Sequence, residues 1–444
     1  MTQFIHKDFY LFFSRFIFSV LALNEVTGKC NASPKTLPAS QEKELLEVFF
    51  TIPTNLNALM NSQLRNERLR RTYGFDEISL SPNGQTIDPS LCEVDLQLGK
   101  HKLPTPIIAS AMDSVVSPRA SQGLAEQGVL GVLNLQGLWT RYEDTESRLE
   151  EIAQAPDDRF VGLMQQFYSE PIKDDLVMKR IERMKKNNHL VAVSSVPQDA
   201  ERLEPLVAEA GADFLFVQST VTSTRHVGRE DGLNLAKLCK QSKLTILVGN
   251  CTSYQIALEL METGVAGILV GIGPGAACTS RGVLGVGVPM ATAIMDCADA
   301  RDHFAQKTGR KVAIIADGGI VVSGDICKAI ACGADAVMIG SPFARAKEAP
   351  GRGFHWGMAT PSPVLPRGTR IKVSCVGTYQ QIVHGPAALD NGFHNLVGAL
   401  KTSMGTMGAR NLAEMQKAEV IIAPSILTEG KIYQHAQKLG MGSR

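Results

Sequence analysis

Short apolar runs alternate with amphipathic stretches along the chain from residue 104 onward. The runs carry β-branched residues and most end at Gly, Ser, Asn or Asp, which predicts buried strands bounded by turns. Between them lie helix-like segments, such as Asp199–Ala210, Ser253–Gly264 and Gly324–Gly333. Repeated strand-then-helix units predict a parallel sheet. The predicted strands are Pro106–Ser110, Val129–Asn134, Phe160–Gln165, Leu190–Ser195, Asp213–Gln218, Leu244–Asn250, Gly267–Gly271, Val312–Ala316 and Ala336–Ile339.

The number of strands favours an α/β fold of the TIM (β/α)8 barrel class. A barrel needs eight strands and the pattern offers nine, so we expect Phe160–Gln165 to be a peripheral piece. Beyond residue 343 the chain is rich in Pro and Gly and shows no clear strand–helix unit. A loop this long in a compact domain is usually functional or mobile. We therefore predict a long flap at about residues 343–380, followed by a helical part at about 394–418.

Residues 1–59 do not conform to this pattern. Asp8–Leu23 is apolar and aromatic, but it is short and is interrupted by Arg15, which argues against a membrane span. No clean signal-peptidase cleavage site follows it. Two interpretations stay open: a targeting segment, or a start assigned too early, with Met60 as the true beginning. The predicted organisation is an N-terminal extension (1–59), one barrel domain (60–435) and a C-terminal tail (436–444).

Composition excludes several classes of protein. The formal net charge of +1 and the aromatic content of 6% give no argument for binding to nucleic acid or to a membrane surface. The nine cysteines form no CxxC pair, so they indicate neither a disulfide framework nor a zinc site. We expect a reducing cytoplasmic location.

Polar residues stand at or just after the carboxyl ends of the predicted strands, where barrel enzymes collect their chemistry. A single polar residue at a strand end has an ordinary structural explanation, but the joint presence of eight favours a site. They are Ser110, Asn134, Ser194, Gln218, Asn250, Cys278, Asp317 and Ser341.

Two glycine-rich turns follow the last two predicted strands, in "IIADGGI" (314–320) and "VMIGSPFA" (337–344). Backbone amides of Gly318, Gly319 and Gly340, with the Ser341 hydroxyl, suit a phosphate dianion. Asp317 can accept hydrogen bonds from two ribose hydroxyls. The alternative is that these glycines only form tight turns.

A third glycine-rich stretch, "GIGPGAACTSRGVLGVGVP" (271–289), contains Cys278. Thiolate is the reactive form of cysteine, and nearby amides and positive charge favour it, so Cys278 is a candidate nucleophile that Arg281 could assist. The alternatives are an inert core cysteine and a dinucleotide-binding turn. Gly271-x-Gly273-x-x-Ala276 fits the loose dinucleotide pattern, but the acidic residue expected at a strand end about 20 positions later is absent.

Together "GIGPGAACTSR", "IIADGGI", "GADAVMIGS", "EAPG" and "WGMAT" resemble the IMP dehydrogenase/GMP reductase family over about residues 70–435. The resemblance implies a TIM barrel, usually a homotetramer, in which a cysteine attacks C2 of a purine nucleotide. Hydride then passes to NAD in the dehydrogenase, or from NADPH in the reductase. Within the family, the chain is similar to a branch that lacks the regulatory CBS pair.

The resemblance also assigns roles to individual residues. Cys278 is the implied nucleophile, and Ser280 supplies a hydroxyl where the family has a catalytic threonine. Carbonyls of Gly273, Gly275 and Cys278 match a potassium site. The implied nucleotide-binding residues are Ser110, Met112, Asp317, Gly319, Gly340, Ser341, His355, Gly357 and Met358. The implied cofactor-binding residues, for NADPH or NAD, are Gln218, Ser219, Thr220, Asn250, Gly271 and Gly273.

The chain departs from the family pattern at several positions, and the departure in the flap favours one direction of reaction. Ala276, His355 and Gln218 stand where the family has a phosphate-binding serine, a tyrosine and a ribose-binding aspartate. Dehydrogenase flaps carry an Arg–Tyr pair that activates water, but no tyrosine lies between Phe343 and Gly377. Losing such a base costs about 10²–10⁴-fold in rate. The favoured activity is therefore reduction of GMP to IMP, with oxidation of IMP to XMP as the alternative.

A reductase also needs a proton donor for the departing ammonia. The glutamate expected near "KVSCVG" is absent, and Arg370 or Lys372 lies near that place. Two readings of other kinds stay open: a catalytically weak purine-nucleotide sensor, and another phosphate-binding barrel such as a flavin enzyme.

Overall fold

The computed structural model describes residues 69–227, 232–358, 369–423 and 431–440. Its centre is a closed barrel of eight parallel strands in sequential order, with the last strand paired to the first. The predicted TIM barrel is thus confirmed, and the compact unit that contains it begins at Thr72. The strands are β1 (Ile107–Ala109), β2 (Leu130–Asn134), β3 (Ala192–Ser195), β4 (Phe214–Gln218), β5 (Thr245–Cys251), β6 (Gly267–Val270), β7 (Ala313–Asp317) and β8 (Ala336–Ile339).

Helices follow the strands and cover the outside of the barrel, where their apolar faces pack on outward-pointing strand residues. The helices between strands are Pro118–Glu126, Thr145–Gln154, Asp157–Ser169, Asp174–Met184, Pro197–Glu209, Leu235–Gln241, Tyr254–Glu262, Ser280–Val283, Met290–Thr308 and Ser323–Ala331. Those after β8 are Ser341–Ala344, Tyr379–His384, Leu396–Thr406, Leu412–Met415 and Lys431–Ala436.

The predicted ninth strand, Phe160–Gln165, is wrong, because these residues lie inside the helix Asp157–Ser169. Its buried residues are Phe160, Met164, Phe167 and Tyr168, which are separated by four, three and one positions, the spacing of one helical face. Asp157 and Asp158 in the first turn also favour a helix start. The apolar residues in the middle of this helix resemble a strand only when the helical residues on either side of them are not considered. All of residues 135–191 are described, and they connect β2 to β3 through three helices.

The barrel interior is a separate apolar core built from alternate strand positions, as strand geometry requires. Along β4, Phe214 and Phe216 point inward, and along β7, Ala313 and Ile315 do so. The next inward positions on these two strands are Gln218 and Asp317. The same alternation that fills the barrel with apolar side chains therefore ends in polar groups at its carboxyl end.

A hairpin closes the opposite end of the barrel. Leu96–Leu98 pairs antiparallel with His101–Leu103, and their three buried leucines join the interior core. Gly99 at the turn has φ of +58°, and a Cβ there would lie 2.6 Å from Cγ2 of Thr245 at the start of β5. Glycine is thus required both by the backbone conformation and by the close approach of the barrel.

The flap contains a short antiparallel ribbon of Phe354–His355 and Ile371–Lys372, which the sequence did not predict. The helix-like part predicted at 394–418 holds two helices, Leu396–Thr406 and Leu412–Met415. After it, Glu419–Ile422 returns to pair with Ile78–Ser81. The predicted extension 1–59 and the flap residues 359–368 lie outside the described residues.

Within the described part of the chain, no helix has the length and apolar character needed to cross a membrane. The eight cysteines in that part are all free thiols.

Candidate active site

Three predicted site residues meet at the carboxyl ends of β4, β5 and β7. Asn250 donates from Nδ2 to Oδ2 of Asp317 over 2.8 Å, and Gln218 donates to the same oxygen over 3.5 Å. Asn250 also donates to the carbonyl oxygen of Gly271 over 2.9 Å. Because the two amides share one carboxylate oxygen, the other oxygen keeps its acceptor capacity for a ligand.

A strand irregularity positions Asn250. The pairing of β5 with β6 shifts register between Gly249 and Cys251, with Asn250 in the interval. Such bulges redirect one side chain while the rest of the strand stays in the sheet. Here the redirected amide links the turn after β6 to the carboxylate of Asp317 at the end of β7.

The carboxyl group of Asp317 is poorly hydrated because it stands at the top of an apolar barrel interior. Burial raises its pKa from 3.8 to about 6, and the hydrogen bond from Asn250 offsets part of that rise. A ligand that donates hydroxyl hydrogens to this carboxylate would favour the ionised form and lower the pKa again. Binding of such a ligand would therefore be coupled to proton release at this residue.

Cys278 lies exposed in the loop after β6, and not in the core. Its amide donates to the carbonyl oxygen of Gly275 over 2.9 Å, which closes a tight turn. Its Sγ lies 3.4 Å from Oγ of Ser280, within hydrogen-bonding distance for sulfur. The buried hydroxyl of Ser280 thus stands beside the thiol.

Close backbone approaches hold the cysteine loop in place. A Cβ on Gly318 would lie 3.2 Å from Pro274, and one on Gly319 would lie 3.0 Å from it, with φ above +70° at both glycines. The loop after β6 therefore packs directly on the glycine-rich turn after β7. This contact brings the thiol and the predicted phosphate-binding turn into one rim of the barrel.

Arg281 supports the loop backbone. Its side chain packs so close to Gly273 and Gly287 that a Cβ on either would lie 2.6 Å from its Cγ. Its Nη2 donates to the carbonyl oxygen of Val288 over 3.0 Å. The contacts of this guanidinium are thus with the loop itself, whereas the sequence suggested that it assists Cys278.

The turn after β8 is enclosed by two predicted residues from distant parts of the chain. A Cβ on Gly340 would lie 3.1 Å from Cε1 of His355 and 3.1 Å from Sδ of Met112. The backbone amide of Ser110 donates to the carbonyl oxygen of Ile339 over 3.0 Å, which fixes the loop of Met112 beside this turn. Glycine is the residue that leaves room for both neighbours and for a ligand.

His355 is buried on the flap ribbon and keeps a neutral ring. Burial lowers its pKa from 6.5 to about 4. Nδ1 lies 3.1 Å from Oγ of Ser114, so the serine holds one ring nitrogen while the ring edge faces Gly340. A neutral imidazole can still donate one hydrogen bond to an anion. Ser341 beside it is partly exposed.

The predicted cofactor-binding residues after β4 form a self-bonded turn. The backbone amide of Ser219 donates to the carbonyl oxygen of Gly249 over 2.9 Å. The Ser219 hydroxyl donates to the carbonyl oxygen of Val221 over 2.7 Å. Gln218, Ser219 and Thr220 are each partly exposed at the rim. The turn is therefore accessible to a second ligand beside Asp317.

Three of the four flap arginines have partners within the protein. Arg345 donates to Ser374 and stacks on Phe393, with 4.0 Å between its Cζ and the ring centroid. Arg352 pairs with Glu146 and Glu150 at 3.1 and 2.6 Å.

Arg370 is the third of these arginines. Its side chain is only 7% exposed and pairs with Asp157 at 2.5 Å. Its guanidinium is therefore held against the β2–β3 helices. Lys372 is exposed, and Arg367 lies outside the described residues.

Sequence reasoning missed a buried polar group behind the site. Tyr168 donates its hydroxyl to Oδ2 of Asp113 over 2.7 Å and accepts from Nε1 of Trp356 over 3.1 Å. Met358 also contacts this hydroxyl, with its Sδ at 3.4 Å. Asp113 directly follows Met112, a predicted nucleotide-binding residue, whereas the helix that carries Tyr168 was not predicted. Gly357, between Trp356 and Met358, is partly exposed.

The predicted potassium site draws only on backbone carbonyls. That of Gly275 already accepts the amide of Cys278, which leaves its second lone pair for a cation. Among the described residues, no group of three or more His, Cys, Asp and Glu side chains could hold a metal ion. The loop is thus compatible with a monovalent cation held by carbonyl oxygens.

The fold and this rim define a TIM-barrel protein with an exposed thiol beside glycine-rich turns. Comparison with known proteins narrows the class. A family model described as the IMP dehydrogenase / GMP reductase domain matches residues 72–360. An uncharacterized oxidoreductase of Mycobacterium leprae is 38% identical over 365 residues, covering 80% of this chain and 97% of that protein.

An inosine-5′-monophosphate dehydrogenase of Cryptosporidium parvum is 29% identical over 405 residues, covering 81% of this chain and 94% of that enzyme. The crystal structure of an IMP dehydrogenase/GMP reductase-like protein from Corynebacterium glutamicum matches with a TM-score of 0.76 and 35% identity, covering 80% of this chain and 95% of that one. The chain therefore belongs to the IMP dehydrogenase/GMP reductase family of oxidoreductases.

Proposed function

We propose that this protein is a nicotinamide-dependent purine-nucleotide oxidoreductase in which the thiolate of Cys278 attacks C2 of the purine. Support comes from the exposure of this thiol and from the hydroxyl of Ser280 3.4 Å away. The packing of its loop on Gly318 and Gly319 adds to this support, because it joins the thiol to a turn suited to phosphate.

The chain's own residues divide the work of binding the nucleotide. Amides of Gly319 and Gly340 and the Ser341 hydroxyl bind the phosphate, with the neutral ring of His355 as a further donor. Asp317 accepts from the ribose hydroxyls, as its position beside Asn250 allows. Phosphate and ribose anchored in this way direct the base toward the rim that carries Cys278.

The favoured reaction is reduction of GMP to IMP. The observation that carries this preference is that Arg345, Arg352 and Arg370 all have protein partners, in a flap region whose sequence contains no tyrosine. The flap region therefore lacks the tyrosine of a water-activating Arg–Tyr pair. The guanidinium groups of these three arginines are also already bonded to other protein groups. Reduction needs no such water, whereas hydrolysis of a covalent intermediate does.

The reduction balances as follows. Sulfur bonds to C2 of GMP, the C2–N bond breaks, and the amino group leaves as ammonia after taking up a proton. When bound, a reduced nicotinamide supplies a hydride to C2. The C2–S bond then breaks, which regenerates the thiolate and releases IMP. The net change consumes GMP, NADPH and two protons, and yields IMP, oxidised cofactor and ammonium.

Oxidation of IMP to XMP with NAD is the second candidate. It is favoured by the inosine-5′-monophosphate dehydrogenases among the relatives, including those of Cryptosporidium parvum and Methanocaldococcus jannaschii. A sensor that binds the purine nucleotide with little turnover is the third, since Gln218 lacks the charge of the family's aspartate.

The cofactor site fits a nicotinamide nucleotide at the ends of β4 and β5. Gln218, Ser219 and Thr220 are partly exposed there, and the amides of Gln218 and Asn250 both reach Asp317. Gln218 would donate or accept at a ribose hydroxyl without a charge. The choice between NADPH and NAD, a potassium ion at Gly273, Gly275 and Cys278, the homotetramer and the cytoplasmic location remain predictions.

Two mixtures separate the candidates. We expect protein with GMP and NADPH to consume the reduced cofactor, followed as loss of absorbance at the nicotinamide band, and protein with IMP and NAD to be inactive. A response only in the second mixture would reverse the direction. Binding of either nucleotide by calorimetry without turnover in both would leave the sensor, and absence of binding and turnover would refute the proposal.

A further inference from the structure

We propose that Tyr168 is a positioning residue for the purine nucleotide, because its hydroxyl joins two chain segments that carry predicted nucleotide-binding residues. One segment contains Ser110 and Met112, after β1, and the other contains Gly357 and Met358, in the flap. This inference rests on the proposed function and deepens it. The residue belongs to the helix Asp157–Ser169, which carries none of the family motifs.

The hydroxyl of Tyr168 is the meeting point of three side chains. It donates to Asp113 over 2.7 Å, accepts from the indole of Trp356 over 3.1 Å, and lies 3.4 Å from the sulfur of Met358. Asp113 and Trp356 are both fully buried. A hydrogen-bonded chain in such surroundings is directional and is stronger than the same contacts in water.

Asp113 transmits this contact to the first segment. It follows Met112 directly, and its Oδ2 also accepts the amide of Leu138 over 2.7 Å. A Cβ on Gly137 would lie 2.1 Å from its Oδ1, so the carboxylate is closely enclosed. A displaced Asp113 would therefore displace Met112, whose sulfur leaves no room for a side chain at Gly340.

The same helix holds the second segment at another point. Arg370 lies between the rings of Phe160 and Phe354, with its Cζ 4.7 and 4.6 Å from the two ring centroids. It also donates to Asp157 over 2.5 Å and to the carbonyl oxygen of Ile152 over 2.7 Å. Helix Asp157–Ser169 thus holds the flap segment on both sides of His355. On one side it contacts Phe354 through Arg370, and on the other Tyr168 bonds directly to Trp356.

This arrangement separates two faces of the flap segment. Trp356 contacts the helix directly and Phe354 contacts it through Arg370, whereas His355 between them faces Ser114 and Gly340. Alternate residues of an extended chain face opposite ways, so holding one set fixes the other. The β2–β3 helices would therefore set the placement of the nucleotide-binding residues without touching the nucleotide.

The test compares two tyrosine-to-phenylalanine variants. Tyr168→Phe keeps the ring and removes the hydroxyl that joins the segments. Tyr142→Phe is the matched control, because its hydroxyl donates to the carbonyl oxygen of Phe167 on the same helix over 3.2 Å and contacts neither segment. We expect Tyr168→Phe to raise the KM for GMP by about 10-fold, as for loss of a hydrogen bond to a buried charge. The KM for NADPH should stay unchanged.

Tryptophan emission supplies a readout besides activity. The chain has two tryptophans, so Trp139→Phe leaves Trp356 alone. Adding GMP should change its emission, because Trp356 directly precedes Gly357 and Met358, two of the predicted nucleotide-binding residues. In the variant that also carries Tyr168→Phe, the midpoint of this titration should move to about 10-fold higher GMP. Calorimetry with GMP provides the reference affinity for every variant.

The outcomes are distinguishable. Equal GMP affinity in Tyr168→Phe and Tyr142→Phe would overturn this inference and leave the proposed function intact. GMP binding by calorimetry with no change in Trp356 emission would do the same. Equal increases in the KM for GMP and for NADPH would show a merely structural role. Absence of GMP and IMP binding in the unaltered protein would instead refute the proposed function.

Discussion

The two ends of the barrel are built from the same eight strands and differ in almost every other respect. At the amino end, a hairpin closes the interior with Leu96, Leu98 and Leu103, all buried. At the carboxyl end, the inward positions of β4 and β7 are Gln218 and Asp317, and the loops carry an exposed thiol. One end is sealed and apolar, whereas the other is open and polar.

The difference shows how a parallel barrel separates stability from chemistry. All eight strands run in the same direction along the barrel, so the loops that follow them all lie at one rim. Apolar closure at the amino end stabilises the fold by removing leucine side chains from water. Polar groups at the carboxyl end cost stability, because they lie on top of an apolar interior.

The largest expected effect is loss of the thiol at the open end. Cys278→Ala should reduce turnover by about 10³-fold or more, since covalent catalysis loses its nucleophile. Unfolding free energy should change by less than about 0.5 kcal/mol, because the residue is exposed. Steady-state assay and urea denaturation measure the two quantities.

The matched control is Cys375→Ala, at the other exposed cysteine among the described residues. It should keep full activity. Turnover that survives in Cys278→Ala would eliminate the covalent mechanism.

The next effect concerns the sealed end. Leu98→Ala should lower the free energy of unfolding by about 2–5 kcal/mol, because it opens a cavity beneath the barrel. The KM for nucleotide should be unchanged in the protein that remains folded.

Lys102→Met is its control, because Lys102 lies on the exposed face of the same hairpin and pairs with Asp95 at 3.1 Å. It should change the unfolding free energy by about 0.5 kcal/mol or less. Similar losses in both variants would show that the hairpin does not act as an apolar seal.

The last expected effect is a gain in stability at the open end. The pKa of Asp317 is raised to about 6 in the folded protein, so the folded state binds this proton more tightly than the unfolded chain does. The ionised carboxyl therefore costs stability above about pH 6, and this cost disappears below about pH 4. Asp317→Asn should raise the unfolding free energy by about 1–3 kcal/mol at pH 8 and hardly at all at pH 4.

The same variant should lose about 10-fold or more in nucleotide affinity, because an amide oxygen accepts more weakly than a carboxylate. Denaturation at the two pH values and calorimetry with GMP measure these effects. An equal gain in stability at pH 8 and pH 4 would show that ionisation is not its cause.

Local pattern was sufficient for the strands and insufficient for the β2–β3 connection. The eight barrel strands were predicted to within two residues at each end, because apolar runs that stop at Gly, Ser, Asn or Asp mark them clearly. Phe160–Gln165 was misassigned because a short apolar run fits a strand and a buried helical face equally well. Only the spacing through Phe167 and Tyr168 distinguishes the two.

In the candidate site, too, some features were predictable from the sequence and others were not. Glycine-rich motifs identified Cys278, Asp317 and Gly340, because close backbone approach leaves a recognisable trace in sequence. The partners of the flap arginines left no such trace, since Arg370 lies far along the chain from Phe160 and Asp157.

By itself, the sequence determined the barrel, the end at which chemistry collects, and most of the residues there. These follow from hydrophobic period, strand polarity and glycine placement, which are local properties of the chain. Only the tertiary structure decided that His355 is neutral, that Leu96 and Leu98 close the other end, and that Tyr168 joins Asp113 to Trp356. Burial and side-chain contact depend on segments that are distant in sequence, and such pairings emerge only when the chain is folded.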